Sequence, residues 1–390
     1  MRVLFASTRG AGHLNPLVPL IEACRRRGDE VLVAGPPVLA EAVEGAGYPF
    51  WPGAAPPEGE LGAVWGRVAT VSREEGNLLV VGEIFGRLNV GAMLPALGAA
   101  CREWRPDLVL RDPAEFASAV AAEDNGVRHA RVGIGLAAVE EQIVSIAGRA
   151  LEERWSGIAE RIRASPYLTA VPASLEDPET PGPPGTKRFR DPATEGVSGA
   201  LPDWWPGDER PLVYVTFGTV TGTVPFAAAL YGSVLAAAEG LDARVLLTVG
   251  RETDLDALGA PPPNVRVERW VPQADVFPHA SAVVCHGGAG TTLGALAAGL
   301  PLVVVPLFAD QPENARRVAA VGAGVAVESA EGGRSEAIRS AVDPPAVRDA
   351  IEDVLRNGAY LEAAGRLAEE IRALPPAGAA LEALAATVGR

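Results

Sequence analysis

The fold is decided where the sequence reads Val283-Val284-Cys285-His286-Gly287-Gly288-Ala289-Gly290-Thr291-Thr292. The apolar residues predict a buried strand, the glycines predict a tight turn, and a helix opens directly after them. The first N–H groups of a helix have no partner within it, and together with the positive end of the helix dipole they form an anion site. His286 could add a donor there, and Thr291 and Thr292 could add hydroxyls. The alternative is an ordinary strand–helix turn with a buried histidine.

Strands and helices alternate along the whole chain. In the first half we expect strands over residues 2–7, 30–34, 107–111, 128–132 and 167–171, the last of that half. In the second half we expect them over residues 212–217, 245–249, 265–267, 282–285 and 302–305. This alternation is typical of the α/β class, in which helices cover both faces of parallel sheets.

Several helices can be placed with their ends. The first should bury Leu17, Leu20, Ile21 and Cys24, start at Asn15-Pro16 and end at Gly28. Residues 346–373 should be helical, Pro375-Pro376 should end that helix, and residues 381–388 should form a short final one. Between about residues 48 and 100 the pattern loosens.

The length of 390 residues favours two domains. Residues 172–211 are rich in proline and glycine and are the best linker candidate. We therefore expect four segments: an acceptor-binding N-terminal domain, a linker, a nucleotide-sugar-binding domain and a returning C-terminal segment. Their predicted bounds are 1–195, 196–211, 212–374 and 375–390.

Composition excludes some partners. The net charge of −15 argues against nucleic acid and anionic membranes as partners, and we see no apolar run of membrane-spanning length. The three cysteines are far apart and have no metal spacing. The start of the chain is too short and too strand-like for a signal peptide. We therefore expect a cytoplasmic protein without a metal site.

A second glycine-rich loop, Gly10-Ala11-Gly12-His13-Leu14-Asn15, follows the first strand. It fails as a dinucleotide fingerprint, because its sixth position is Asn15 and the second strand ends without a carboxylate. His13 at the carboxyl edge of a parallel sheet suits a general base. Asp112 ends another strand at that edge and could hold the tautomer of His13. The alternatives are a histidine that packs the loop and a simple Asp-Pro turn.

Two further motifs suit parts of a nucleotide sugar. Trp270-Val271-Pro272-Gln273 follows a strand, and its indole or backbone amides could receive a nucleobase; a core tryptophan is the alternative. Asp310 and Gln311 place an acceptor and a donor side by side, as a sugar with several hydroxyls requires. A helix start capped by Asp310 is the alternative there.

Together these motifs resemble the donor-binding signature of family-1 glycosyltransferases with the GT-B fold. The resemblance rests on Trp270 to Gln273, His286 to Thr292, and Pro306-Leu307-Phe308-Ala309-Asp310-Gln311 with Asn314, and the loop around His13 is similar to the catalytic loop of that family. It implies two Rossmann-like parallel-sheet domains facing across a cleft, and a final helix that returns to the first domain. The strongest likeness is to actinobacterial enzymes that attach sugars to natural products such as antibiotics.

The resemblance also implies roles for individual residues. His13 would be the base and Asp112 its partner, while Trp270 and the backbone of Val271 to Gln273 would hold the nucleobase. Asp310 and Gln311 would hold the sugar. The diphosphate would lie against Thr219, His286, Gly288, Gly290, Thr291 and Thr292. Such enzymes invert the anomeric centre and need no metal or other cofactor.

One departure from the family points to the donor. Relatives that use uridine nucleotides carry a glutamate for the ribose hydroxyls at the position of Gly294. Its absence favours a donor linked to thymidine diphosphate (dTDP) over one linked to uridine diphosphate (UDP), with a deoxysugar. A small hydrophobic acceptor is indicated by apolar residues in the first half: Trp51, Trp65, Leu79, Val80, Phe85, Leu88, Met93 and Ile143. Each of these could equally belong to the core.

Two other functions remain open on sequence grounds. A nucleotide-sugar epimerase of the same fold would convert the donor without an acceptor, and a non-catalytic auxiliary protein would only bind a sugar nucleotide. A homodimer and hinge closure about the linker are further expectations.

Overall fold

The computed structural model describes residues 1–192, 201–219, 221–223, 227–327 and 342–388. The chain divides into two compact units. Unit 1 comprises Met1–Asp191 with Leu374–Arg390, and unit 2 comprises Pro192–Ala373. Each unit contains one parallel sheet with helices packed against it.

Unit 1 has a seven-stranded sheet in the order β3-β2-β1-β4-β5-β6-β7. Its strands are β1 Arg2–Ala6, β2 Glu30–Gly35, β3 Phe50–Pro52, β4 Leu108–Arg111, β5 Arg128–Val132, β6 Tyr167–Thr169 and β7 Lys187–Arg188. Its helices up to the end of the sheet are α1 Ala11–Leu14, α2 Val18–Arg27, α3 Ala40–Gly45, α4 Glu58–Val68, α5 Arg73–Leu79, α6 Val90–Glu103, α7 Ala117–Asp124, α8 Ala137–Glu152 and α9 Ile158–Ala164. A π-helical stretch, Val80–Asn89, joins α5 to α6.

Unit 2 has a six-stranded sheet in the order β10-β9-β8-β11-β12-β13. Its strands are β8 Leu212–Thr216, β9 Arg244–Thr248, β10 Val265–Glu268, β11 Ala282–Cys285, β12 Leu302–Val304 and β13 Gly324–Ala326. Its helices are α10 Ala227–Ala238, α11 Gln273–Val276, α12 Ala289–Ala297, α13 Gln311–Ala320, α14 Pro344–Arg356 and α15 Gly358–Ala373.

The strand order of both sheets positions the sites. In each sheet the order reverses beside the first strand of the unit, between β1 and β4 in unit 1 and between β8 and β11 in unit 2. Loops that leave neighbouring strands at such a point diverge and leave room for a ligand at the carboxyl edge. The two units are therefore Rossmann-like, and the predicted α/β class is confirmed.

The last helix, α16 Ala377–Val388, belongs to unit 1. Leu381 and Leu384 are buried in the same core as Leu17 and Leu20 of the first helical segment. The Arg190 amide donates to the Pro375 carbonyl at 2.8 Å, which fixes the chain where it enters this helix.

The unit boundaries lie close to the predicted domain limits without coinciding with them. Unit 1 ends at Asp191 and resumes at Leu374, against predicted limits of 195 and 375. Of the predicted linker, residues 196–200 lie outside the described residues, and residues 201–211 group with unit 2. The functions assigned to the segments stay predictions.

Each of the ten predicted strands is present to within two residues at either end, and the described residues contain three further strands, β3, β7 and β13. Gly28 ends α2 with a left-handed φ of 83°. The predicted helix start at Asn15-Pro16 is wrong, since Asn15–Leu17 is a 3₁₀ turn between α1 and α2. Residues 167–171 are not the last strand of unit 1, because β7 follows them. The predicted helix over 346–373 is two helices, α14 and α15, which break at Asn357.

The region between residues 48 and 100 is largely helical. A single helical stretch, Glu74–Glu103, has a mean hydropathy of 1.4 and is long and apolar enough to cross a membrane by length and composition alone. Glu83 and Arg87 interrupt the apolar residues of this stretch, so it is not a continuous apolar run, and the expectation that the sequence contains no such run of membrane-spanning length still stands. Val90, Met93 and Leu97 on one face of this stretch lie in the core of unit 1.

Candidate functional site

His13 and Asp112 meet at the carboxyl edge of the unit 1 sheet. Because Ala6 of β1 is paired with Arg111 of β4, the loops that follow these strands start side by side. His13 Nδ1 lies 3.2 Å from Asp112 Oδ1, so the predicted contact is present. The His13 side chain is 23% exposed, whereas Asp112 is fully buried. The imidazole can therefore reach solvent, and the carboxylate behind it cannot.

The protein keeps the Asp112 carboxylate ionised despite its burial. Asp112 Oδ2 accepts a hydrogen bond from the Thr8 amide at 2.6 Å, and Oδ1 accepts one from the Ala114 amide at 2.8 Å. Burial raises the pKa of Asp112, but the combined effect of His13 and the two amides is larger and opposite. The pKa of Asp112 therefore lies below its ordinary value. An ionised Asp112 favours the tautomer of His13 that carries its proton on Nδ1, which puts the lone pair on Nε2.

The aromatic neighbour of His13 comes from the π-helical stretch. The Phe85 ring stands edge-on to the imidazole, with 6.0 Å between the ring centroids. π-Helical turns are rare and are frequently found at functional sites. The sequence pattern did not identify this contact, since a π turn has no periodicity of its own in the sequence.

His286 is held between two glycines at the carboxyl edge of the unit 2 sheet. A Cβ on Gly218 would lie 2.9 Å from His286 Cε1, and a Cβ on Gly288 would collide with His286 Nε2. Gly287 has a φ of 85°, and a Cβ there would lie 2.7 Å from Val304 Cγ1. These three positions therefore require glycine, and they bring the loops after β8 and β11 together.

Burial lowers the pKa of His286 to about 4, so its imidazole is neutral at pH 7 and carries one N–H donor. Its Nδ1 atom is shielded from solvent and has no hydrogen-bond partner among the described residues. The residue as a whole is only partly buried, so the alternative of a buried histidine describes its Nδ1 side alone. It does not exclude a donor role, because the ring adjoins the start of α12.

The two threonines of the loop differ from each other. Thr291 accepts a hydrogen bond from Gln273 Nε2 at 3.1 Å, which ties the loop to α11. The Thr292 hydroxyl is shielded from solvent and adjoins the buried Cys285 thiol. Gly290 is exposed, and no atom lies within 4 Å of where its Cβ would be. The accessible face of the loop is therefore at Gly290, and Thr219 after β8 is also exposed.

Trp270 is 47% exposed, so the core-tryptophan alternative is wrong. The Arg251 guanidinium lies over the indole, 4.3 Å from the ring centroid. The two side chains line a pocket of about 400 Å³ together with Leu255, Glu268 and Arg269. Arg251 had no signal in the sequence, because its stacking partner is nineteen residues away on another loop.

Asn314 links the loop of the predicted diphosphate site to Asp310 of the predicted sugar site. Its Nδ2 donates to the Gly287 carbonyl and to Asp310 Oδ2, each at 2.7 Å. The backbone turns sharply just before Asp310, where Ala309 has a φ of 55°. Asp310 shows no side-chain capping bond to α13, so its carboxylate does not serve as the helix cap.

The side-chain oxygen of Gln311 is occupied by hydrogen bonds within the protein, which the sequence did not indicate. Its Oε1 accepts hydrogen bonds from the Leu307 amide at 2.8 Å and from the Phe308 amide at 2.9 Å. Both lone pairs of that oxygen are used, which leaves the side-chain NH₂ group as the part that could contact a ligand.

Gly294, the position without a glutamate, is buried in α12. A Cβ there would lie 2.9 Å from Phe277 Cε2, and Phe277 itself packs edge-on against Tyr214 at 6.1 Å between centroids. A carboxylate side chain could enter only if this aromatic pair moved.

The apolar residues of the predicted acceptor site fall into separate groups. Met93 is a core residue, which corrects its assignment to the site. Trp51, Phe85 and Ile143 are partly buried against the same core. Trp65 on α4 is 49% exposed and stands out most clearly from the core.

Known proteins are similar to this chain in both sequence and fold. Residues 22–165 and 232–385 match the N-terminal and C-terminal domain models described as erythromycin biosynthesis protein CIII-like. The chain is 36% identical to the elloramycin glycosyltransferase ElmGT of Streptomyces olivaceus, over 96% of this chain and 94% of that protein. It is 32% identical to the L-demethylnoviosyl transferase of Streptomyces niveus, over 99% and 98% of the two chains.

Among solved structures, the glycosyltransferase SsfS6 of Streptomyces sp. SF2575, complexed with thymidine diphosphate, is similar over 97% of this chain and 98% of its own. The TM-score is 0.69 and the sequence identity is 27%. With two Rossmann-like units and both domain models matched, the chain belongs to the erythromycin biosynthesis protein CIII-like family of glycosyltransferases, which have the GT-B fold.

Proposed function

We propose that this glycosyltransferase moves a deoxysugar from thymidine diphosphate to a hydroxyl of a small hydrophobic natural product, with inversion and without a metal ion. The observation that carries the proposal is the 3.2 Å contact between His13 Nδ1 and a fully buried Asp112. A buried carboxylate against a solvent-reaching imidazole is the arrangement that orients a general base.

The proton and electron transfers follow from that pair. His13 Nε2 takes the proton of the acceptor hydroxyl while the hydroxyl oxygen attacks the anomeric carbon. The bond between that carbon and the diphosphate breaks, and thymidine diphosphate leaves with the electron pair. Asp112 stabilises the imidazolium that forms. A single displacement of this kind inverts the anomeric configuration.

Unit 2 offers groups that suit the donor. The amides at the start of α12 and the neutral His286 can balance the growing charge on the leaving diphosphate. The exposed Trp270 offers an aromatic face to the base. Asp310 and the NH₂ group of Gln311 offer an acceptor and a donor to the sugar hydroxyls.

A thymidine nucleotide is favoured at Gly294. A ribose 2′-hydroxyl that has to leave water requires a partner, and Phe277 occupies the space where a carboxylate side chain would extend. A 2′-deoxyribose lacks that hydroxyl and loses nothing there. The bound thymidine diphosphate of the similar SsfS6 structure supports the same choice.

The similar elloramycin glycosyltransferase, which is named for a natural product, supports a natural-product acceptor. A hydrophobic acceptor also agrees with the exposed Trp65 and with Phe85 beside His13.

Calorimetric titration with the diphosphates of thymidine and uridine, first without and then with magnesium, tests the donor. We expect thymidine diphosphate to bind without magnesium and at least as tightly as uridine diphosphate. Much tighter binding of uridine diphosphate would overturn the argument from Gly294, and a requirement for magnesium would overturn metal independence. If neither nucleotide binds, the assignment of the donor site fails.

Product analysis tests the displacement. With a dTDP-deoxysugar and a panel of small hydrophobic phenols and alcohols, the anomeric configuration of the product can be read by NMR. Inversion relative to the donor is expected, and a retained configuration would contradict a single displacement.

A further inference from the structure

Arg111 is buried beneath the loop that carries Asp112. It is the last residue of β4, and its side chain is among the largest in the protein that have no contact with solvent. Arginine is almost never buried completely unless it is paired. Its position therefore requires an explanation in terms of what it contacts.

The contacts of Arg111 are with the backbone of one loop. Its Nη1 donates to the carbonyl oxygens of Asp112 and Glu115 at 3.2 Å each, and it lies 3.5 Å from the carbonyl of Pro113. A single guanidinium nitrogen thus holds three carbonyls of the segment between β4 and α7. The guanidinium also lies over the Phe116 ring, 5.9 Å from its centroid.

The burial of the Arg111 side chain lowers the stability of the folded protein more than a purely structural contact would require. No described residue accepts a hydrogen bond from Arg111 Nε or Nη2, although both atoms are buried. Burial lowers the pKa of Arg111 to about 10, so the side chain is still charged at pH 7. The carboxylates of Glu115, Asp112 and Glu140 partly balance this charge, but the two unused donors still cost stability.

The loop that Arg111 holds is the one that aims Asp112 at His13. Asp112 is fixed from the other side by the amides of Thr8 and Ala114. Without the hydrogen bonds from Arg111 to the carbonyls of this loop, the Asp112 carboxylate could shift relative to the His13 imidazole. A displacement of about 1 Å at such a site is enough to lower turnover substantially.

We propose that Arg111 is a positioning residue for catalysis, which fixes the loop of Asp112 and thereby holds His13 in the tautomer with its proton on Nδ1. This proposal rests on the assignment of His13 as the base. Arg111 touches neither substrate in this scheme and acts only through Asp112.

The chain offers a matched control in Arg131. It is the register partner of Arg111 on β5 and is also buried. Its Nη2 donates to the Arg163 carbonyl at 3.1 Å, and its guanidinium lies over the Tyr167 ring. Because Arg131 hydrogen-bonds to Arg163 and not to the loop of Asp112, Arg131→Met removes a comparable buried charge and leaves the carbonyl contacts of that loop to Arg111 in place.

The test is NMR of protein labelled with ¹⁵N in the histidine rings, which is tractable because the chain has four histidines. In the wild type we expect His13 to carry its proton on Nδ1. In Arg111→Met we expect a mixture with the Nε2–H tautomer and a fall in kcat on the order of 10- to 100-fold. The affinity for thymidine diphosphate should not change. Arg111→Lys, which retains a cationic donor, should restore part of the Nδ1–H population.

Other results would overturn the proposal. It fails if Arg111→Met keeps the wild-type tautomer and kcat, or if Arg131→Met shifts the tautomer equally. If Arg111→Met does not fold, Arg111→Gln takes its place under the same criteria. The tautomer is measured without substrate, so it reports on Arg111 even if a His13 variant shows that His13 is not the base.

Discussion

The side chains with the clearest chemistry are those whose partners lie far away in the sequence. Asp112 is 99 residues from His13, and Asn314 is 27 residues from Gly287. Strand order brings each pair together, so their roles depend on topology as much as on residue type. His13 and Asp112 could be predicted because each follows a strand, His13 in a glycine-rich segment and Asp112 in an Asp-Pro turn.

Arg111, Arg251 and Phe85 could not be predicted in this way. Arginine at a strand end usually faces solvent, and nothing in the local pattern distinguishes one that turns inward. Gln311 shows the opposite error, since its residue type suits a sugar while two backbone amides already use its oxygen.

Gly218 should be essential for donor binding through His286. In Gly218→Ala the new Cβ would lie 2.9 Å from His286 Cε1 and displace the imidazole. Loss of one hydrogen bond to a diphosphate weakens binding by about tenfold or more, and we expect that loss in a calorimetric titration with thymidine diphosphate.

The control for this substitution is Gly207→Ala. Gly207 has a φ of 77°, close to the 75° of Gly218, but no atom lies within 4 Å of its Cβ position. Both variants carry the same backbone strain, so equal affinities in the two would show that the contact with His286 does not matter.

At the level of helices and strands, the strands that could not be predicted are short and lie at the edges of the sheets. Every strand of four or more residues was found from its apolar run, and so were the three-residue interior strands β6 and β12. The strands that were missed, β3, β7 and β13, have three residues or fewer and lie at sheet edges. Such strands owe their existence to pairing with a neighbouring strand, for example β3 with the six-residue β2. Their own sequence carries too few alternating positions to show a period.

The helix α16 should stabilise unit 1 although it comes last in the chain. Leu384→Ala removes a fully buried side chain from the core that contains Leu17 and Leu20. We expect a loss of about 2–5 kcal/mol in the free energy of unfolding of unit 1, measured by denaturant titration.

Glu382→Ala on the same helix is the control, because Glu382 is exposed and its loss should change stability little. Similar stability of the Leu384 and Glu382 variants would mean that α16 does not belong to the folded core of unit 1.

In the molecule as a whole, Glu140 in unit 1 and His286 in unit 2 should make the free energy of unfolding depend on pH in opposite directions. Burial raises the pKa of Glu140 in unit 1 from 4.5 to about 7, so between these values the folded state holds a proton that the unfolded chain releases. The free energy of unfolding should therefore fall as pH rises through this window. Burial lowers the pKa of His286 in unit 2 from 6.5 to about 4, so stability should fall there as pH falls.

Denaturant titrations between pH 4 and 8 check both signs. Glu140→Gln should gain stability relative to the wild type as pH rises from 4.5 to 7, by at most about 3 kcal/mol. His286→Gln should gain it as pH falls from 6.5 to 4, within the same limit. Curves that run parallel to the wild type would show that neither group is shifted by folding.

The most direct test of the proposed mechanism is the turnover of His13→Ala compared with its affinity for thymidine diphosphate. We expect kcat to fall on the order of 10²- to 10⁴-fold, because the acceptor hydroxyl loses its base, while nucleotide binding stays at the wild-type level. His279→Ala, which removes an exposed histidine, should change neither quantity. Turnover of His13→Ala at the wild-type rate would contradict the role of the His13–Asp112 pair.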